Sequence, residues 1–171
     1  MPTTFPSNRS IGDGPADLDR FVQAQNAGTP SAYSRAIAEL RAGRKRSHWI
    51  WFVLPQLQGL GRSAISQRFG IQGLAEARTY LSHPVLGPRW RDTLSVIAEH
   101  LSQPGRSLQQ LMGGELDGLK TVSSLTLMAE AGCPQARVLL GQLEGDGWKP
   151  CVFTLRQIQA GTTGGLRPGQ R

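Results

Sequence analysis

Glycine and proline divide this chain into short apolar segments with helical spacing, and this pattern constrains the fold more than any other feature. The chain has 21 Gly and 11 Pro among 171 residues. The clearest segment spans residues 89–102, where Trp90, Leu94, Ile97 and Leu101 lie on one face of a helix. The longest apolar run, 49–54, is far shorter than the roughly 20 residues that cross a membrane. The sequence therefore predicts a soluble, all-helical protein.

The same spacing predicts helices on both sides of this segment. Asp17 is suited to cap the first helix, and Thr29 with Pro30 forms an N-cap and first-position pair for the second, which Gly43 ends. Further helices are predicted over residues 73–82, 116–131, 134–143 and 150–158, with a short turn at 108–111. Proline stands at the predicted first position of both late helices.

The segment 50–54 is ambiguous because β-branched and aromatic residues favour a strand, and periodicity does not decide so short a run. No second segment of comparable quality is present to pair with it. We therefore predict a buried helical turn or an extended core segment.

The chain shows neither an internal repeat nor a long linker. We predict flexible tails at residues 1–16 and 159–171, around a single compact helical domain at 17–158 with about seven to nine short helices. The first residues lack the apolar core of a signal peptide, so we expect a cytoplasmic protein without a membrane partner. Cys133 and Cys151 lack the spacing of a metal site, and we expect reduced thiols, no bound metal and no cofactor.

Most of the excess positive charge, out of a net +7, lies in one place. Arg41, Arg44, Lys45 and Arg46 lie together with His48 beside them, which favours a local site for an anionic partner over a broad nucleic-acid surface. An alternative is that these cations only complement the dipole at the end of a helix, each by about 0.3–1 kcal/mol.

The segment 43–66 combines these cations with a histidine, two indoles and a Gly-x-Gly turn. Gly59 and Gly61 permit close backbone approach, and a helix starting near Ser63 would present N–H groups beside Arg62, as in an anion pocket. The segment has neither a dinucleotide-binding fingerprint nor a phosphate loop. The structural alternative is that the indoles are core residues, the glycines shape turns and His48 is a hydrogen-bonded structural histidine.

The segment 116–131 carries a polar strip on an apolar helix. Leucines and valine are spread around its circumference, which predicts burial on most sides, at Leu116, Leu119, Val122, Leu125 and Leu127. Asp117, Lys120, Thr121 and Ser124 share an arc of about 100°. Asp117 and Lys120 can satisfy each other at i, i+3, or the strip can face the 43–66 segment across a pocket. A weaker candidate group, Tyr80, His83 and Arg89, is also explained by a turn with a capping histidine.

Five motifs in one order resemble a known family. They are Phe21-Val-Gln-Ala-Gln, Gly43-Arg-Lys-Arg-Ser-His-Trp-x-Trp-Phe, Pro55-Gln-x-x-Gly-Leu-Gly-x-Ser-x-x-Ser, Glu76-Ala-x-x-Tyr-Leu-x-His-Pro-x-Leu-Gly and Asp117-x-x-Lys-x-x-Ser-Ser-x-Thr-Leu. Between about residues 18 and 127, and more weakly to 155, the chain resembles a small helical bacterial family of unknown function that is often automatically labelled calpastatin.

The resemblance implies a compact helical domain of unassigned activity. The calpastatin label does not suit this chain physically, because an inhibitor of that kind is disordered and this core is patterned for burial. Leu54, Phe69 with Gly70, and Met128 depart from the family pattern as changes in packing.

We hypothesise that the protein binds a small anionic, nucleotide-like ligand in a polar pocket between the 43–66 segment and the 116–131 helix. The candidate ligand-binding residues are Arg44, Lys45, Trp49, Trp51, Gln56, Gly59, Gly61, Arg62, Ser63, Lys120 and Ser124. The sequence does not decide whether the protein is an enzyme; if it is, His48 or Asp117 is the expected general acid or base.

The alternative is a non-enzymatic module whose basic patch meets an acidic protein or a nucleic acid. Binding of this kind weakens steeply with salt. The oligomeric state stays open, and a homodimer through exposed indoles is a third possibility.

Overall fold

The computed structural model describes residues 17–163, and this part of the chain forms ten α-helices and no β-strand. The helices are α1 Asp19–Asn26, α2 Ala32–Arg41, α3 Ile50–Val53, α4 Ala64–Arg68, α5 Leu74–Ser82, α6 Leu86–Leu101, α7 Leu108–Leu111, α8 Glu115–Glu130, α9 Pro134–Gly145 and α10 Val152–Thr163. Seven of them have at least seven residues, so the predicted all-helical class is confirmed. The final helix passes the domain end predicted at 158 and includes residues 159–163 of the tail predicted over 159–171. The rest of that tail, and the tail predicted over 1–16, lie outside the described residues.

Helix α8 forms the centre of the fold. It packs against α9 and also contacts α3, α5, α7 and α10, so residues 121–129 are all buried. The prediction of burial on most sides is wrong for the first turns of α8. Leu116 and Leu119 are 68% and 48% exposed there, because no described neighbour covers that side of the helix.

The side chain of His83 caps the start of α6. Its Nδ1 accepts hydrogen bonds from the backbone N–H groups of Val85 and Leu86, at 3.1 and 3.2 Å. The helix therefore begins at Leu86, earlier than the predicted residue 89, and the capping interpretation of His83 is confirmed.

Two predicted helix starts are displaced by better local partners. Ser31 caps α2 by accepting a hydrogen bond from the Ser34 N–H, so the pair Thr29 and Pro30 precedes the cap instead of forming it. Before α10, the Cys151 N–H donates to Thr126 Oγ1 at 3.0 Å. This bond holds the chain against α8, and the helix begins at Val152, after the predicted first position at Pro150.

The segment between α2 and α4 follows the prediction more closely. Gly43, with φ +86°, ends α2, and Ile50–Val53 forms the predicted buried helical turn. Ser63 caps α4 at the predicted position.

None of the helices between residues 17 and 163 has the length and apolar character that a membrane-crossing helix needs.

Candidate functional site

The stretch after α2 crosses the end of α7 and brings Lys45 to the first turn of α8. The Lys45 N–H donates to the Leu111 carbonyl at 2.7 Å. The Lys45 side chain is 6% exposed, and its Nζ lies 2.7 Å from Oδ2 of Asp117. Lys120 Nζ lies 2.8 Å from the other carboxylate oxygen. The 43–66 and 116–131 segments therefore meet as the sequence predicted.

Each of these ammonium groups also lies over an indole ring. Lys45 Nζ is 5.3 Å from the centroid of Trp49, and Lys120 Nζ is 4.3 Å from that of Trp51. We call Lys45, Trp49, Trp51, Asp117 and Lys120 the lysine cluster. Of the two indoles named as candidate ligand-binding residues, Trp49 is buried and has no ring face open to a ligand, whereas Trp51 is partly exposed.

The lysine cluster places two ammonium groups on one carboxylate, for a net charge of one positive unit. Burial alone raises the pKa of Asp117, but the hydrogen bonds from Lys120 and Lys45 outweigh burial and hold the pKa below its ordinary value. A carboxylate held in this way accepts protons poorly at neutral pH. The geometry therefore gives no support to Asp117 as a general base.

Two buried polar atoms, one on α8 and one in the 43–66 segment, have no hydrogen-bond partner among the described residues. They are the hydroxyl oxygen of Ser124, two turns after Asp117 on the polar strip, and Nε2 of Gln56, which follows α3. The hydroxyl of Thr121, also on the strip, donates to the Asp117 carbonyl at 2.8 Å. The predicted polar strip therefore does face the interior.

Glu39 was not among the predicted site residues, but it organises the basic segment. Its carboxylate accepts hydrogen bonds from the backbone N–H groups of Arg46 and Ser47, from the Ser47 hydroxyl and from Trp49 Nε1, at 2.6–3.0 Å. An acidic residue in the last turn of a helix is disfavoured by the helix dipole, and this misplaced charge was the available signal.

The hydrogen bonds to Glu39 are expected to make the free energy of unfolding depend on pH. Burial raises its pKa, but the four hydrogen bonds outweigh burial and lower the pKa from 4.5 to about 2. Stability from the ionised form is present above pH 4.5 and is lost as the pH falls toward 2. We expect Glu39→Gln to remove roughly 1–2 kcal/mol of unfolding free energy at pH 7, since solvent screens the charge in part.

Urea unfolding of the parent and of Glu39→Gln between about pH 6 and pH 2 measures this contribution. The difference in unfolding free energy between the two proteins is expected to shrink steadily as the pH falls. Equal stabilities at pH 7, or a constant difference down to pH 2, would show that Glu39 does not hold the segment as a carboxylate.

The turn 59–63 contacts α10 and the start of α4. A Cβ at Gly59 would lie 3.2 Å from the ring of Phe153 on α10, and Gly59 borders a separate cavity of about 660 Å³ between α5 and α10. At Gly61, a Cβ would lie 2.7 Å from the Ser66 hydroxyl. The hydroxyl of Ser63 caps α4, and the Arg62 side chain is exposed. Gly59 therefore packs toward α10 and lines a different cavity from the one that Arg44 lines.

A different cavity borders the 43–66 segment where it meets the start of α8. It measures about 850 Å³ and is lined by Gly43, Arg44, Pro104, Gly105, Arg106, Ser107, Gln109, Gln110, Gly113 and Gly114. We call it the arginine cavity.

His48 does not line it, and this exposed side chain makes no described hydrogen bond or ion pair. Across residues 17–163, no three His, Cys, Asp or Glu side chains are grouped as metal ligands.

Comparison with known proteins agrees with the fold. The family described as "Protein of unknown function (DUF1810)" matches residues 15–144. The crystal structure of the conserved hypothetical protein Rv1873 from Mycobacterium tuberculosis is similar, with 40% identity and a TM-score of 0.74 over 85% of this chain and 99% of that one. No curated protein matches the chain. The predicted resemblance to a helical family of unknown function is confirmed at that level, and the chain belongs to the DUF1810 family.

Proposed function

We propose that the protein binds a small anionic ligand of nucleotide-like chemistry in the arginine cavity. The proposal depends on one observation. Arg44 and Arg106 come from distant parts of the sequence and border one cavity of about 850 Å³, and its described lining includes no carboxylate. Guanidinium groups form paired hydrogen bonds with phosphate oxygens, so two of them facing a common space suit an anion with one or two phosphate groups.

The backbone around the cavity also suits close approach of a ligand. Four lining residues are glycines, and Gly113 has a φ of +77°. A Cβ at this position would be only 3.0 Å from the Lys45 carbonyl oxygen, so the crossing of the two segments requires glycine here. Glycine at these four positions also leaves the cavity wall free of side chains, which permits close approach of a ligand.

The surroundings of the arginine cavity include further positive charge. The lysine cluster, with its net positive charge, lies behind the wall that Lys45 forms with the end of α7. His100 is buried next to Gly43, and burial together with the nearby Arg106 charge lowers its pKa, so it is neutral at pH 7. The arginines therefore supply the charge that the ligand meets.

The proposal is one of binding and assigns no reaction. His48 is exposed, with no described residue to orient it, and Asp117 is held as a carboxylate by two lysines. Neither arrangement is that of a positioned general base.

Calorimetric titration with pyrophosphate, ADP and ADP-ribose tests the proposal. We expect Arg44→Gln and Arg106→Gln each to weaken binding about 10- to 100-fold, because each removes charge-assisted hydrogen bonds. Arg46→Gln is the matched control: Arg46 belongs to the same basic run and is exposed, but does not line the cavity. It should bind like the parent.

Two results would contradict the proposal. No heat and no thermal stabilisation at millimolar concentrations of all three ligands would exclude the site. Equal losses for Arg44→Gln and Arg46→Gln, with a steep salt dependence for a polyanion, would instead favour the interaction module. That alternative rests on the exposed group Arg41, Arg44, Arg46 and His48.

A further inference from the structure

A second cavity adjoins the arginine cavity. It measures about 420 Å³, and both cavities are bordered by Arg106, Ser107 and Gln109. The start of α8 also links them, since Gly114 lines the first cavity and Glu115 lines the second. We call the second one the Trp148 cavity. The two spaces therefore form adjacent compartments around one turn of chain.

The two compartments differ in chemistry. The described lining of the arginine cavity has cations and no carboxylate, whereas the Trp148 cavity has an indole and two carboxylates, those of Glu115 and Asp146. Both carboxylates are exposed and make no described ion pair or side-chain hydrogen bond. They repel phosphate but accept hydrogen bonds from hydroxyl and amino groups. The lining therefore changes from a cationic end to an aromatic end that accepts hydrogen bonds.

Trp148 is fixed in place before any ligand arrives. Its ring packs against α8 at Gly118, where a Cβ would lie 2.5 Å from Cη2 of the indole. Its backbone N–H donates to the Leu143 carbonyl at 3.0 Å. The side chain is partly exposed, so the ring is both positioned and accessible. A preorganised aromatic ring loses little entropy when a flat group stacks on it.

We propose that the Trp148 cavity takes the nucleoside half of a nucleoside diphosphate whose phosphates lie in the arginine cavity. This inference rests on the proposed anion site and adds the class of ligand. The base stacks on Trp148, the ribose hydroxyls donate to Glu115 or Asp146, and Arg106 lies where the sugar joins the phosphates.

Parallel titrations with pyrophosphate and ADP test the inference. ADP is expected to bind about 10-fold or more tightly than pyrophosphate, because stacking of a base on an aromatic ring contributes at least a factor of that order. ADP, but not pyrophosphate, should change the tryptophan fluorescence of the unmodified protein. Trp148→Leu should remove most of the advantage of ADP and leave pyrophosphate binding intact, and Trp148→Phe should restore much of it.

The outcomes separate this inference from the proposed function. If pyrophosphate binds in an Arg44-dependent manner and ADP binds no more tightly, the nucleoside site is wrong and the anion site stands. If Trp148→Leu keeps the full ADP advantage, the nucleoside site is likewise wrong. If neither ligand binds the unmodified protein, the anion site fails and this inference fails with it. The comparison of ligands on the unmodified protein decides the question even where a Trp148 variant does not fold.

Discussion

Replacing Asp117 with alanine is expected to lower the free energy of unfolding by about 3–5 kcal/mol, because it leaves a buried lysine without a counter-charge. The side chain of Lys45 is 6% exposed, and its described ionic partner is Asp117. Without that carboxylate, Lys45 must lose its proton or draw water into the interior, and both cost free energy. Urea unfolding with the parent, Asp117→Ala and Asp117→Asn measures the effect.

Two further variants show whether the cost arises from Lys45. Combining Asp117→Ala with Lys45→Met removes both charges of this ion pair, and the double variant should recover much of the lost stability. Lys120→Met is expected to cost less, about 1 kcal/mol or below, since Lys120 is more exposed. A loss under about 1 kcal/mol for Asp117→Ala would mean that Lys45 is well solvated, contrary to the geometry of the lysine cluster.

The contact between Lys45 and Asp117 shows which parts of the candidate site could be predicted from the sequence and which could not. The helical period placed Asp117 and Lys120 on one inward strip, and the concentration of cations and indoles selected the segment that meets it. Both follow from local spacing, because a polar strip on a buried helix needs partners wherever it lies. Which of four neighbouring cations turns inward depends on the hydrogen bond between Lys45 and Leu111, which no local pattern specifies.

The open cavities could not be predicted in this way. Arg44 and Arg106 border one cavity, and Trp148 joins Arg106 in the next, although these residues come from three separate parts of the chain. These residues lie in loops after α2, before α7 and after α9, and the packing of α7 and α8 brings the loops together. Without such packing information, Arg62 and the turn 59–63 were predicted to share one anion site with Arg44 and Lys45. In the structure, Gly59 of that turn lies against α10 and lines a different cavity from Arg44.

The misplaced helix starts have a related cause. Thr29 with Pro30 and the segment beginning at Pro150 both carry ordinary signals for the start of a helix. Ser31 competes as a cap one residue after Pro30, and the bond from Cys151 to Thr126 is a tertiary contact that delays α10. Where two local signals for a helix start are of similar strength, such contacts determine which residue begins the helix. The helices therefore form where they were predicted, but their first residues differ from the prediction.

A buried polar network joins the first helix to the middle of the chain. Gln25 is 1% exposed, and its Nε2 donates to the Phe52 carbonyl at 2.8 Å and to the Tyr80 hydroxyl at 3.2 Å. Its Oε1 accepts a hydrogen bond from Arg89 at 3.2 Å. Burial raises the pKa of Tyr80, so the phenol stays protonated and donates to the same Phe52 carbonyl at 3.3 Å. Gln25 therefore connects α1 with α3, α5 and α6.

Gln25→Ala is expected to lower the free energy of unfolding by about 2–4 kcal/mol, because it opens a cavity and leaves the Arg89 guanidinium without its buried acceptor. Gln23→Ala is the matched control, since Gln23 lies on the exposed side of the same helix and should change stability by about 0.5 kcal/mol or less. Tyr80→Phe, which removes one hydroxyl and keeps the ring, should fall between them at about 1 kcal/mol. Equal unfolding free energies for the two glutamine variants would show that the network adds nothing to the packing around it, and that α1 is held by Phe21 and its apolar neighbours instead.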